Sequence, residues 1–353
     1  MQAMADQSSN PLPSSSPRKL GPGTITDLGS GDGRLGEHST NELVRELLRR
    51  LASPHEPRTA ISCDVDVSRA GWLIQELAIR ATGGENRFGV LRAGLLLEQI
   101  QGHPRYSLER LRGANCLELG CGGMNPLAGM LTLLAGGAAR CGGIDLEELV
   151  SMPAAARGLY DCAVALRAGL IHPELLPPHE EIESNLAGLD LHQLCHGDAR
   201  GVPPEQLWYE QRSAGSTGLP DQGCDLVYSN SFLEHVADLD GLLTELVRIS
   251  KPGSISVHAI DGTDHRHYRD ANCGVLDFLT LDSEEPLVYG CNRERPTQVA
   301  ERFRRYGFDV TMEPIQHFEL TAEFRSRLSP AFADLSDEDL VACRALLYTT
   351  IPG

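Results

Sequence analysis

The sequence predicts an α/β fold: a mostly parallel sheet with helices on both faces. Three observations carry that prediction. From residue 114 onward, short apolar runs of strand length alternate with longer helical patterns. The first run ends in a glycine-rich turn, Gly120-Cys121-Gly122-Gly123, which is followed by a helical pattern. Acidic residues stand at the ends of the next runs, Asp145 and Asp198.

Taken in order, residues 1–38 predict a disordered tail, because Ser, Pro and Gly dominate its start and few large apolar residues interrupt them. Residues 39–112 predict a helical N-terminal extension. Ser39-Thr40-Asn41-Glu42 reads as a capping box, and Leu43, Leu47, Leu48 and Leu51 fall on one face behind it. Two further helices are predicted near 68–81 and 88–101.

The body, 113–353, opens with a strand over 114–119 and a helix from Pro126, with Asn125 placed to cap it. A second strand spans 140–145, a helix 152–168, and a connection 172–190. A third strand is predicted over 191–196 and a loop over 200–223. A fourth strand over 224–229, a helix near 238–250, a Lys251-Pro252-Gly253 turn and a fifth strand over 254–260 complete the alternation. The end departs from it: a helix over 297–306, a strand over 308–318, a short helix capped by Ser336 and a last strand over 344–351. Two closing strands without a long crossover predict antiparallel pairing.

Composition narrows the function classes. The 353 residues carry a net charge of -18, and residues 113–353 hold all of the excess negative charge. Such a body repels phosphate backbones and anionic lipid, which disfavours nucleic-acid and membrane-surface partners. The ten cysteines form no C-x-x-C pair, which points to reduced thiols in a cytoplasmic protein, not a disulfide framework or a zinc ribbon. No apolar run is long enough for a transmembrane segment.

The chemistry concentrates at strand ends. Glycines let the backbone turn sharply and approach a ligand, and in an open α/β sheet ligands sit beyond the carboxyl ends of strands. Asp145, 23 residues after Gly122, is placed to accept both hydroxyls of a ribose. Asp198 stands in His196-Gly197-Asp198-Ala199, and the fourth strand runs through Asp225-Leu226-Val227-Tyr228-Ser229-Asn230 into Leu233-Glu234-His235.

With these landmarks in this order, roughly residues 105–353 resemble the class I S-adenosylmethionine-dependent methyltransferases of the small-molecule type. The resemblance implies a doubly wound, mostly parallel seven-stranded Rossmann-like sheet, with S-adenosyl-L-methionine as cofactor. It implies Gly120 and Gly122 beside the methionine part, Asp145 on the ribose, and Asp198 with Ala199 beside the adenine. Glu118, Cys121, Leu146 and Asn230 join the cofactor-binding set through the same motifs. Met124 stands where many members have a third glycine. A closer three-glycine match, Asp27 to Gly33, reads as a decoy because only a polar tail precedes it.

Methyl transfer to a hydroxyl or amine needs a base, and His235, Asp261 and His265 are the candidate catalytic residues, with Asp261 and His265 as a base-and-orienter pair. No metal is assigned; a divalent ion on Asp261, Asp264, His265 and His267 is the sharper alternative. The expected reaction is in-line methyl transfer to a small molecule or a glycan or lipid-linked acceptor. A nicotinamide-dependent oxidoreductase and a non-catalytic cofactor-binding protein are the competing readings.

Overall fold

A computed structural model describes residues 89–268, 270 and 272–352. The helices expected over 39–51 and 68–81 and the Asp27–Gly33 glycines lie outside the described residues.

The first elements are α1 (Gly89–Gln101), α2 (Leu108–Leu111), β1 (Asn115–Leu119), α3 (Ala128–Ala135), β2 (Arg140–Asp145) and α4 (Met152–Arg167). They are followed by α5 (His179–Asn185), α6 (Leu191–Cys195), β3 (Leu207–Gln211), β4 (Cys224–Asn230), α7 (Leu239–Ile249) and β5 (Ser250–Asp261). The chain closes with α8 (Pro296–Arg305), β6 (Asp309–His317), α9 (Ala322–Ser326), α10 (Asp337–Val341) and β7 (Ala342–Thr350).

One sheet holds all seven strands in the order β3-β2-β1-β4-β5-β7-β6. The first five are parallel, and β7 runs antiparallel to both β5 and β6, as the closing strands predict. The strand order reverses between β1 and β4. The chain leaves these two neighbours toward opposite sides, which opens a crevice at their carboxyl ends.

Two apolar clusters, one on each face, sandwich the sheet. α1, α3 and α4 supply one through Ala93, Leu96, Leu97, Met130, Leu131, Cys162 and Leu166. α7 and α8 supply the other through Leu242, Leu243, Leu246, Val299 and Phe303. The local chemistry explains these helices. α7 starts on an Asp238 cap and buries Leu239, Leu242, Leu243, Leu246 and Ile249, one face of a 3.6-residue period. α3 is buried at all eight positions, so no amphipathic face is needed.

Four expectations need correction. Residues 191–196 are not a strand. Asp190 accepts a hydrogen bond from the Gln193 amide and starts α6, and Leu191 and Leu194 have helical, not alternating, spacing. The third strand is β3, inside the stretch expected to be a loop; it is an edge strand with only Leu207 buried, so its apolar signal is weak. α3 starts at Ala128 without a side-chain cap, since Leu127 and not Asn125 occupies the cap position. Finally, Lys251-Pro252-Gly253 lies within β5 instead of ahead of it.

Candidate active site

The loop after β1 turns through two left-handed glycines, Gly120 (φ +67°) and Gly122 (φ +70°), a conformation that side chains with a Cβ adopt at a cost. A Cβ on Gly120 would also strike the ring of Phe232, which follows β4. The two ligand-edge loops therefore touch, and only glycine permits the contact.

Two charged side chains tie this loop down. Arg92, on α1, donates to the Cys121 carbonyl (2.6 Å) and to Glu118 Oε1 (2.6 Å). Glu118 is fully buried beneath the loop; burial pushes its carboxyl up, and the Arg92 guanidinium opposes that shift. From the other side, the Gly122 amide donates to Asp145 Oδ2 (2.6 Å), and the Glu147 amide donates to Asp145 Oδ1 (2.9 Å). The Gly123 amide reaches Glu147 Oε2 at 3.2 Å.

A cleft of about 280 Å³ opens against the loop, lined by Leu91, Arg92, Leu95, Gly120, Met124, Asn125 and Asn230. It brings together Gly120 and Asn230 from the predicted cofactor set, and adds Arg92. A larger cleft of about 410 Å³ lies along α8, where Arg302 and Arg305 are mixed with Glu294 and Glu301; it does not include the glycine loop.

The other predicted cofactor residues sit differently. Glu118 and Cys121 are buried below the loop and support it from beneath. Leu146 is 71% exposed, just beyond β2. Asp198 does not end a strand. It caps a short 3-10 turn, and Arg200 pairs with its carboxylate and holds it at about 2, well below the usual range. Ala199 packs against the core. The position after β3 belongs to Arg212, Ser213 and Ala214, so the strand-end argument that put Asp198 and Ala199 beside an adenine does not hold.

Beyond β4 and β5 a second group gathers. Asp261 is not free to work with His265. Its Oδ1 accepts from the Thr263 hydroxyl (2.5 Å), and its Oδ2 accepts from Tyr268 (2.5 Å) and Arg344 (2.9 Å). His265 Nε2 stays 3.7 Å from Asp261 Oδ2, too far for a hydrogen bond. The expected base-and-orienter pair is therefore not formed. Nor is the alternative metal set. Asp264 is fully buried and held by Arg266, and His267 Nδ1 lies 2.6 Å from the Asp264 carbonyl.

His265 instead meets His235 edge-on, with ring centroids 4.9 Å apart, and burial pulls its pKa down. Next to them, Glu234 is 2% exposed and neither carboxylate oxygen makes a hydrogen bond of ordinary geometry. Burial pushes its pKa up to about 8, partly offset by its own amide and that of Asp261.

Arg92 and Cys291 were not among the residues singled out. Arg92 had a signal: it lies four residues before Leu96 and eight before Ile100, a charge on the buried stripe of α1. Cys291 had none, since it stands 56 positions after His235 and only the fold brings the two together.

The sheet is doubly wound, and its glycine loop lies at the β1/β4 crevice. Residues 164–257 match the family described as a methyltransferase domain, a stretch that begins inside α4 and ends within β5. That match covers about a quarter of the chain. No curated protein matches it.

Among solved structures, an S-adenosylmethionine-dependent methyltransferase from Mesorhizobium loti is 17% identical, with 68% of this chain and 92% of that one covered and a TM-score of 0.36. The [4+2]-cyclase SpnF is 18% identical over 88% of this chain and 93% of its own, with a TM-score of 0.39. Haemonchus contortus phosphoethanolamine N-methyltransferase 2, in complex with phosphomonomethylethanolamine and S-adenosylhomocysteine, is 14% identical over 73% and 52%, with a TM-score of 0.41. Among the described residues no helix is long and apolar enough to cross a membrane.

Proposed function

We propose that the protein transfers a methyl group in line to a small-molecule, glycan or lipid-linked acceptor in the cytoplasm. The observation that carries this reading is the glycine loop at the β1/β4 crevice, closed by Asp145 from one side and Arg92 from the other. S-adenosylmethionine supplies an electrophilic methyl on a sulfonium, and the chain's own residues do the rest.

Gly120 and Gly122 let the cofactor approach the backbone, and Asp145 offers its remaining lone pairs to a ribose. Arg92 lines the cleft and its Nε–H, buried without a partner, suits the carboxylate of a methionine group. Asn230 closes the cleft from β4. Alignment of nucleophile and methyl then supplies much of the rate.

At the acceptor end, His235 and His265 are the groups we assign to the nucleophile. Burial keeps the His265 imidazole neutral, so it can take a proton from a hydroxyl or ammonium. Asp261 acts here as a positioning residue that binds Tyr268 and Arg344. The nine described cysteines are all free, which supports a reducing compartment.

Calorimetric titration with S-adenosylmethionine, S-adenosylhomocysteine and NAD tests the reading. Both sulfur ligands should bind, with affinity about tenfold weaker in Asp145→Ala, a loss near 1.4 kcal/mol. Tight NAD binding with no response to either sulfur ligand would overturn it.

A further inference from the structure

Three metal-ligating side chains from separate parts of the chain converge beyond the carboxyl ends of β4 and β5. His235 comes from the turn after β4, His265 from the turn after β5, and Cys291 from a bridge with Val288. One donor atom from each lies within 4.8 Å of the other two. Donors bound tetrahedrally at 2.0–2.3 Å stand about 3.6 Å apart, so the three need to close by about 1 Å. The exposed His235 ring and the half-buried His265 ring have room to do so.

Three further observations point to a ligand. His235 Nδ1 lies 2.8 Å from the Gly290 carbonyl, which makes Nδ1–H the donor and leaves the Nε2 lone pair free. Imidazoles that bind metals are commonly oriented through such a carbonyl. His265 Nε2 is buried and has no hydrogen-bond partner. Both oxygens of Glu234, which acts electrostatically on Cys291, are buried and make no hydrogen bond of ordinary geometry. Three such polar atoms in one place carry a desolvation cost that a cation would relieve.

We propose that His235, His265 and Cys291 bind a soft divalent cation of the zinc type, with Glu234 behind them. Two imidazoles and a thiolate suit zinc, whereas magnesium and calcium require oxygen donors. On binding, the Cys291 thiol loses its proton to solvent, and sulfur and both nitrogens donate lone pairs to the ion. Three protein ligands leave a fourth position open. An acceptor hydroxyl or thiol there loses its proton to solvent and binds as the anion, ready for methyl transfer. That role rests on the methyltransferase reading and takes the place of His265 as proton acceptor, because a metal-bound imidazole has no free lone pair; the binding of the ion does not rest on that reading.

The test uses the full chain, stripped with a chelator and titrated with cobalt(II) by absorption and with zinc by calorimetry. One equivalent of cobalt should give the visible bands of a tetrahedral site and a thiolate-to-metal charge-transfer band in the near ultraviolet. Cys291→Ser, or Cys291→Ala if that variant folds better, should remove the charge-transfer band. His235→Ala and His265→Ala should each weaken cobalt binding at least tenfold. His196→Ala, in the exposed His192/Cys195/His196 group on and beside α6, should change nothing. Absence of stoichiometric uptake by the wild-type chain, or a charge-transfer band that survives loss of Cys291, overturns the proposal. S-adenosylhomocysteine affinity, measured on the same samples, reports folding and the cofactor reading separately. If the wild type fails to bind that ligand yet takes up cobalt through Cys291, the acceptor role falls and the metal site stands.

Discussion

The two sides of the crevice differ in how their polar groups are paired. In the β1 loop, the Gly122 and Gly123 amides, the Cys121 carbonyl, Glu118 Oε1 and Asp145 have partners before any ligand arrives, and Glu118 Oε2 and the Arg92 Nε–H are the buried atoms left without one. Beyond β4 and β5, Glu234 and His265 present buried polar atoms with no hydrogen bond of ordinary geometry. A prepaired loop costs little to organise when its ligand binds, which suits a constant cofactor. Unpaired groups are held at a cost to the fold and mark a place where something else is bound. On the proposed reading, the cofactor takes the β1 side of this edge and the acceptor the β4/β5 side.

Arg92→Ala strikes the comparison hardest, because it leaves Glu118 buried without its cation. Breaking a buried pair from one side costs about 3–5 kcal/mol, so the thermal midpoint should fall by several degrees, and Arg92→Ala/Glu118→Gln should recover part of the loss. If the single variant melts like the wild type, the β1 loop is not held as described.

The next effect comes from β5, the strand that feeds the other side. Burial lowers the His258 pKa to about 3 while its hydrogen bonds to Ser229 and Ser256 keep it in place. The folded state therefore binds fewer protons than the unfolded chain below about pH 6.5, and stability falls as pH drops from there toward 3. By pH 4 the contribution is about 3 kcal/mol, and His258→Gln should flatten that limb in denaturant titrations at several pH values.

Gly120→Ala tests the contact between the two sides. A left-handed backbone and the Phe232 ring both oppose a Cβ, so cofactor affinity should drop at least tenfold. Smallest is Asp198→Ala: its exposed pair with Arg200 is worth little, and S-adenosylhomocysteine affinity should stay within about twofold. A large loss there would restore the adenine role that the position of Asp198 removes.

Much of the fold was legible because its helices and central strands are periodic and buried on known faces. α4, α7 and α8 lie within a residue or two of expectation, and the antiparallel β6–β7 end was read from the missing crossover. β3 was not legible: an edge strand buries little, and the Leu191–Cys195 helix beside it offered a stronger apolar run. The same error displaced Asp198. In the β1 loop, Gly120, Gly122 and Asp145, which the structure brings together, were marked by local spacing. On the acceptor side, Asp261 looked like a partner for His265, yet Arg344, 83 residues later, binds its carboxylate, a contact that only the β5–β7 pairing creates.

Arg92 also bears on where this protein can be cut and exchanged. A crossover placed ahead of β1, at residue 113, would look clean by strand count, yet it would give a recipient Glu118 without its counter-charge. Inherited or engineered shuffling should therefore carry α1 with the sheet. The unit that travels is bounded by where a buried charge is neutralised, twenty or more residues before the first strand begins.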